Sequence, residues 1–239
     1  MRRLFATVVL ALVCGCSGQS ATSTQAPPTA SPSSTPAATT RFPSYAVTAR
    51  VADVAIYASP HGRVTRRLAN PTRLGVPLTF LLKRRVGDWL EVYLPIRPDG
   101  STGWIMAGAG RVRGDPYRID VHRRAHRLDL FKFDRRVRSF PIGVGTADTP
   151  TPGGVYYLKE LLRPPDPHGF YGPYAFGLSG FSAVLHSFAG GNGVIGIHGT
   201  NDPASVGRSE SHGCIRMRNA AISYLAHRLP LGTPVRILR

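Results

Sequence analysis

The chain has 239 residues, 42% of them hydrophobic, enough to bury one large core or two small ones, which excludes disorder throughout. The formal net charge is +17, with ten basic against four acidic residues over 45–112 and seventeen against nine over 113–239. So evenly basic a surface favours polyanions, whether nucleic acid, anionic lipid or a wall polymer rich in carboxylates and phosphates, and no tail carries the excess.

The N-terminus narrows that choice. Met1-Arg2-Arg3 is a short cationic region, residues 4–13 are apolar, and Val13-Cys14-Gly15-Cys16 has the form of a lipobox. Residues 1–16 therefore read as an export signal. An apolar run of this length falls short of the roughly twenty residues that span a bilayer. The lipobox resemblance implies a lipid anchor on Cys16; the alternative is an ordinary secretory signal cut nearby. Both readings export the protein and argue against nucleic acid as partner, and the lipid anchor would hold it at the cell envelope. Removal of Cys14 and lipidation of Cys16 would leave Cys214 as the one free thiol, a reactive arrangement in an exported protein. Residues 17–40 contain no charge and are dominated by Ser, Thr, Ala and Pro, so 17–44 is predicted to be a disordered tether.

Over 45–112 short apolar runs alternate with turn signals, among them Ala46-Val47-Thr48-Ala49, Val54-Ala55-Ile56-Tyr57, Leu78-Thr79-Phe80-Leu81-Leu82, Trp89-Leu90-Glu91-Val92-Tyr93-Leu94 and Thr102-Gly103-Trp104-Ile105. This pattern predicts the strands of a small β-barrel. The runs from Trp89 and from Gly100 to Ile105 resemble the bacterial SH3-like domain. Trp89 and Trp104 either form a ligand surface or belong to the core. Lys83-Arg84-Arg85 either touches wall anions or is a solvated basic turn.

Residues 113–239 form a second predicted domain, also mainly β, with one or more short helices. Strands are predicted at 117–121 and 128–133 with a hairpin around Arg123-Arg124-Ala125-His126, then at 137–144, 154–158, 184–186, 194–198 and 235–238. The strand pattern places His198 at a strand end. Asn219 is predicted to cap a helix through Ala221, Ile222, Leu225 and Leu229, stopped by Pro230 and Gly232.

Two motifs carry chemistry. Ser211-His212-Gly213-Cys214-Ile215-Arg216-Met217 is preceded, thirteen residues upstream, by His198-Gly199-Thr200. A cysteine works as a nucleophile when an imidazole or positive field holds it as thiolate, and His198 and His212 are the candidate imidazoles. With Gly143-Val144-Gly145 and Thr149-Pro150-Thr151-Pro152-Gly153-Gly154, these motifs resemble the L,D-transpeptidase (YkuD-type) catalytic domain. The resemblance implies Cys214 as nucleophile, His198 as general base, and the Gly199 carbonyl as the group orienting the imidazole. Gly213 would let the chain turn so that amides face the oxyanion, with His212 and Ser211 as further oxyanion-side or loop-stabilising candidates. Arg216 either binds a substrate carboxylate or forms an ion pair with Glu210 or Asp202. Tyr171, Tyr174 and His186 either line the substrate groove or pack the loop.

The implied reaction is formation of peptidoglycan cross-links between third-position diaminopimelate residues through a thioester on Cys214, with stem peptides as substrates, no cofactor, and carbapenem-type inhibitors as acylating agents. Water or a protein amine are alternative acceptors, giving an L,D-carboxypeptidase or a protein-to-wall attachment enzyme. From a different class comes a non-catalytic tethered wall-binding protein. A zinc site built on Cys214, His198, His212 and His186 lacks the paired ligand spacing such sites use, so no metal is predicted.

Overall fold

The computed structural model describes residues 42–187 and 192–239. The predicted export signal, the lipidation site Cys16 and the tether up to residue 41 lie outside the described residues. The described part is mainly β, as the alternating apolar pattern requires, with a single α-helix.

The first sheet holds β1 (Ser44–Ala49), β2 (Asp53–Tyr57), β3 (Val64–Ala69), β4 (Thr79–Val86), β5 (Trp89–Tyr93), β6 (Thr102–Met106) and β7 (Gly110–Asp115), in the order β3-β2-β6-β5-β4-β1-β7. All its pairings are antiparallel. Period-two alternation turns Val54 and Ile56 of β2 inward, where they meet Val47, Phe80, Leu90, Val92 and Ile105 in one core. Lys83-Arg84-Arg85 is not a turn. These residues lie within β4, and the turn follows at Gly87, whose φ of 53° suits a residue without Cβ. Lys83 Nζ and Arg84 Nε donate to Glu91 of β5 at 2.8 and 2.6 Å. Trp89 and Trp104 are buried rather than displayed: Tyr57 and His61 meet the Trp89 ring edge-on, and the Arg84 guanidinium covers Trp104.

The second sheet is built from β8 (Tyr117–His122), β9 (Arg127–Lys132), β10 (Arg135–Pro141), β12 (Gly154–Leu162), β13 (Ala175–Phe181), β14 (Val194–His198), β16 (Ile215–Arg216) and β17 (Pro234–Leu238), in the order β10-β9-β8-β17-β12-β13-β14-β16. A two-stranded parallel ribbon pairs β11 (Val144–Gly145) with β15 (Ser209–Ser211). The predicted strand at 184–186 is absent; those residues form an irregular connection, and the strand before it is β13. Helix α1 (Asn219–Ala226) buries Ile222 and Leu225 against the sheet's core. Its N-cap is Arg218, without a side-chain cap, and Asn219 instead accepts the Thr200 N–H at 2.8 Å. The predicted capping role of Asn219 is thus replaced by a bond that ties the helix to the His198-Gly199-Thr200 segment.

Polar bonds join the two sheets. Thr233 Oγ1 donates to the fully buried Asp115 at 2.6 Å, and Tyr157 Oη donates to the Tyr93 carbonyl at 3.2 Å.

Candidate active site

Strands β14 and β16 run parallel, with Ile197 level with Ile215 and His198 level with Arg216. Because side chains alternate across a sheet, Ile195, Ile197, Ile215 and Met217 enter the core. The intervening residues Gly196, His198, Cys214 and Arg216 share the opposite face. A methyl group built on Gly196 would lie 3.9 Å from both Cys214 Sγ and His198 Cδ2, so thiol and imidazole flank one small volume above that glycine. The Gly196 N–H donates to Cys214 Sγ at 3.4 Å.

The imidazole is oriented by the backbone. His198 Nδ1 lies 2.6 Å from the Gly199 carbonyl, which can only accept, so Nδ1 carries the proton and Nε2 keeps its lone pair. Nε2 is buried and, among the described residues, without a hydrogen-bond partner. Burial lowers the His198 pKa to about 4, and the Arg216 charge adds to this against the pull of the Gly199 carbonyl. Burial also pushes the Cys214 thiol up, opposed by the Gly196 N–H and by Arg216. Both shifts favour the uncharged forms, a neutral imidazole beside a protonated thiol, because desolvation outweighs the local positive field.

The cysteine loop is held by its own backbone and hydroxyls. Gly213 has a φ of 107°, a conformation that side chains with Cβ resist, and it is buried. Its N–H donates to Ser211 Oγ at 3.1 Å, and Ser211 Oγ donates to the Cys214 carbonyl at 2.5 Å. The Gly213 amide is thus occupied within the loop instead of facing an oxyanion, leaving the Cys214 amide as the loop's candidate donor. His212 is exposed.

The remaining candidates separate. Arg216 is buried, forms no ion pair with Glu210 or Asp202 among the described residues, and leaves its Nε without a partner. Glu210 is paired with Arg208 instead. Tyr171 meets the His198 ring edge-on at 4.9 Å, and its phenol is pushed up by burial and by the charge a Cys214 thiolate would carry. Tyr174 faces away, its ring against His227 and Arg163. His186 is exposed in the β13–β14 connection, with no described contact to Cys214 or His198. One residue was missed. Phe170 lies 5.8 Å from the His198 ring and under the Arg216 guanidinium at 5.1 Å, still 40% exposed, and forms a wall of the site with Tyr171. Only its place beside Tyr171 in Gly169-Phe170-Tyr171-Gly172 could have signalled it. Among the described residues no three His, Cys, Asp or Glu side chains converge as metal ligands.

The second sheet and both motifs fall within a known family. Residues 116–237, from the residue before β8 to within β17, match the YkuD family, the L,D-transpeptidase catalytic domain. The chain belongs to that family. YkuD of Bacillus licheniformis is 41% identical over 122 residues, covering 51% of this chain and 66% of that protein, just under two thirds of its length. YkuD of Bacillus subtilis is 40% identical over 124 residues, covering 52% of this chain and 67% of the relative. Among solved structures, L,D-transpeptidase 3 from Mycobacterium tuberculosis aligns over 67% of this chain and 74% of its own, with 13% identity and a TM-score of 0.46. The family match spans both motif segments and the strands that align them.

Proposed function

We propose that the protein is a peptidoglycan L,D-transpeptidase that forms cross-links between third-position diaminopimelate residues through a thioester on Cys214. The observation that carries this reading is the shared position of Cys214 Sγ and His198 above Gly196, with Nε2 unpartnered. In the first step Nε2 takes the thiol proton as sulfur attacks the donor carbonyl. The tetrahedral oxyanion forms beside the Cys214 amide and then collapses, breaking the C–N bond. The imidazolium gives its proton to the departing D-Ala amine. In the second step an acceptor amine attacks the thioester carbonyl, His198 removes its proton, and the C–S bond breaks to return the thiol. The bond energy of the cleaved amide is held in the thioester, so the exchange balances without ATP.

Arg216 is proposed to meet a substrate carboxylate through its planar guanidinium, the buried and incompletely satisfied cation of the site. Phe170 and Tyr171 would flank the donor stem. In this reading residues 45–112 form an SH3-like wall-facing module, Cys16 carries the lipid anchor, and the protein works in the cell envelope.

The test is intact-mass spectrometry with a carbapenem, combined with D-Ala release from a disaccharide tetrapeptide. The wild type is expected to gain one adduct and to release D-Ala. Cys214→Ala should do neither while keeping the wild-type melting temperature within a few degrees. Absence of both adduct and D-Ala release from folded wild type would overturn the enzymatic reading.

A further inference from the structure

The connection between β13 and β14 is closed at its neck, where the Ser182 N–H donates to the Gly193 carbonyl at 2.7 Å. Arg97, from the β5–β6 connection of the first sheet, straddles that neck. Its Nη1 donates to Ser182 O at 2.9 Å, and its Nη2 reaches Leu185 O at 3.3 Å and Asn192 O at 3.4 Å, so one guanidinium holds both sides. The same group lies 4.8 Å over the Phe181 ring. Two residues on, Asp99 accepts the Phe181 N–H at 3.0 and 3.2 Å through its two oxygens, and Tyr156 Oη lies 3.3 Å from it. The β13–β14 ladder slips register between Gly177 and Phe181 and resumes with Phe181 level with Val194, so beside that pair this end of β13 takes further bonds from the β5–β6 connection. Strand β14 begins at Val194 and carries Gly196 and then His198.

We propose that Arg97 and Asp99 are positioning residues for the reactive pair: by pinning the neck of the β13–β14 connection, they fix β14 so that the Gly196 N–H stays on Cys214 Sγ and His198 stays beside it. A planar fork with five donors can satisfy carbonyls on two sides of a neck; a lysine ammonium on a flexible stem cannot do so in one geometry. The first sheet is then part of the catalytic unit, not only a module attached to it.

The inference rests on Cys214 being the reactive group, and the test reads that group directly. The rate of Cys214 carboxamidomethylation by iodoacetamide is measured against pH in the full chain, alongside thermal melting. The charged and titratable groups facing the thiol, His198 on β14, Arg216 on β16 and Tyr171 on the 163–174 segment, are unchanged in every variant, as is His212 in the cysteine loop. In Arg97→Ala the rate at pH 7 is expected to fall at least threefold and the profile to move to higher pH, because the Gly196 N–H no longer stabilises the thiolate. Arg97→Lys and Asp99→Asn should fall between this variant and wild type; if Arg97→Ala does not fold, these two decide. Variants that melt lower yet keep the wild-type profile would show the clasp to be merely structural and overturn the proposal. An unreactive wild-type thiol would overturn both this inference and the enzymatic reading, whereas a reactive one with unchanged variants overturns the clasp alone.

Discussion

His198 sits in a pocket where protonation is expensive, and this sets the pH behaviour of the site. With its pKa held near 4, the imidazole remains a competent base through the whole range in which an ordinary histidine, at about 6.5, would be charging. Single-turnover acylation should therefore be flat from pH 7 to about 5 and decline only on approach to 4. Arg216→Ala should move that acid limb upward, because the guanidinium charge is one of the forces that lowers the imidazole. A wild-type midpoint near 6.5 would mean that water reaches the ring and that the buried, neutral pair is the wrong description. At this scale the structure brings His198, Gly199, Ser211, Gly213 and Cys214 into one cluster at the ends of β14 and β16, and the two motifs were legible as motifs. Phe170 was not: whether a ring in a Gly/Pro-rich segment packs on an imidazole depends on how that segment returns to β14. Nor could the sequence show that the Gly213 amide is taken by Ser211 or that Asn219 serves Thr200 rather than its own helix.

Strands with clean apolar alternation were equally readable, and charges on them turned out to matter. Glu91 on β5 is buried, yet Lys83, Arg84 and Thr102 supply donors that hold its pKa at about 2 against the opposing effect of desolvation. Since the folded-state value lies below the unfolded one of about 4.5, the clamp contributes stability above pH 4.5 and loses it as pH falls toward 2. Glu91→Gln should cost about 2 kcal/mol at pH 7, less than for a fully buried pair because both cations rehydrate. Urea titrations at pH 7 and pH 3 should show the gap between wild type and variant shrinking at the lower pH; a constant gap would assign the loss to packing instead. Strand β13 escaped the sequence reading for a different reason. Its Ala-Phe-Gly-Leu-Ser-Gly-Phe sequence has low strand propensity, but the glycines leave room for neighbouring side chains. A Cβ on Gly177 would lie 2.2 Å from Glu160, and one on Gly180 would lie 2.2 Å from Tyr156. Tertiary packing, which no local window contains, makes this segment a strand. The same holds for Val184-Leu185-His186, whose apolar run is left irregular because the ladder ends at Phe181.

At the scale of the whole molecule, the described residues form two hydrophobic cores and a seam that couples them. Asp115, fully buried at the end of β7, takes the Thr233 hydroxyl from the connection into β17 and the Tyr117 amide from β8. Its carboxyl is raised by burial, with those two donors and the Arg113 charge opposing. Thr233→Val keeps the shape and removes one donor, so an ionised carboxylate would be left short of a partner in a dry site. The cost should be about 2 kcal/mol at pH 7, or roughly 4–8 °C in melting temperature for a domain of this size. The sign with pH follows from the raised value. Removing a donor that favours the charged form penalises that form alone, so the difference from wild type should narrow as pH falls and the carboxyl takes a proton. Because Asp115, Tyr157 and the Arg97 clasp all bridge the sheets, calorimetry of both proteins should show one cooperative transition, shifted downward in the variant. Two separate transitions would mean that each core folds by itself and that the seam joins them too weakly for one sheet to hold the geometry of the other.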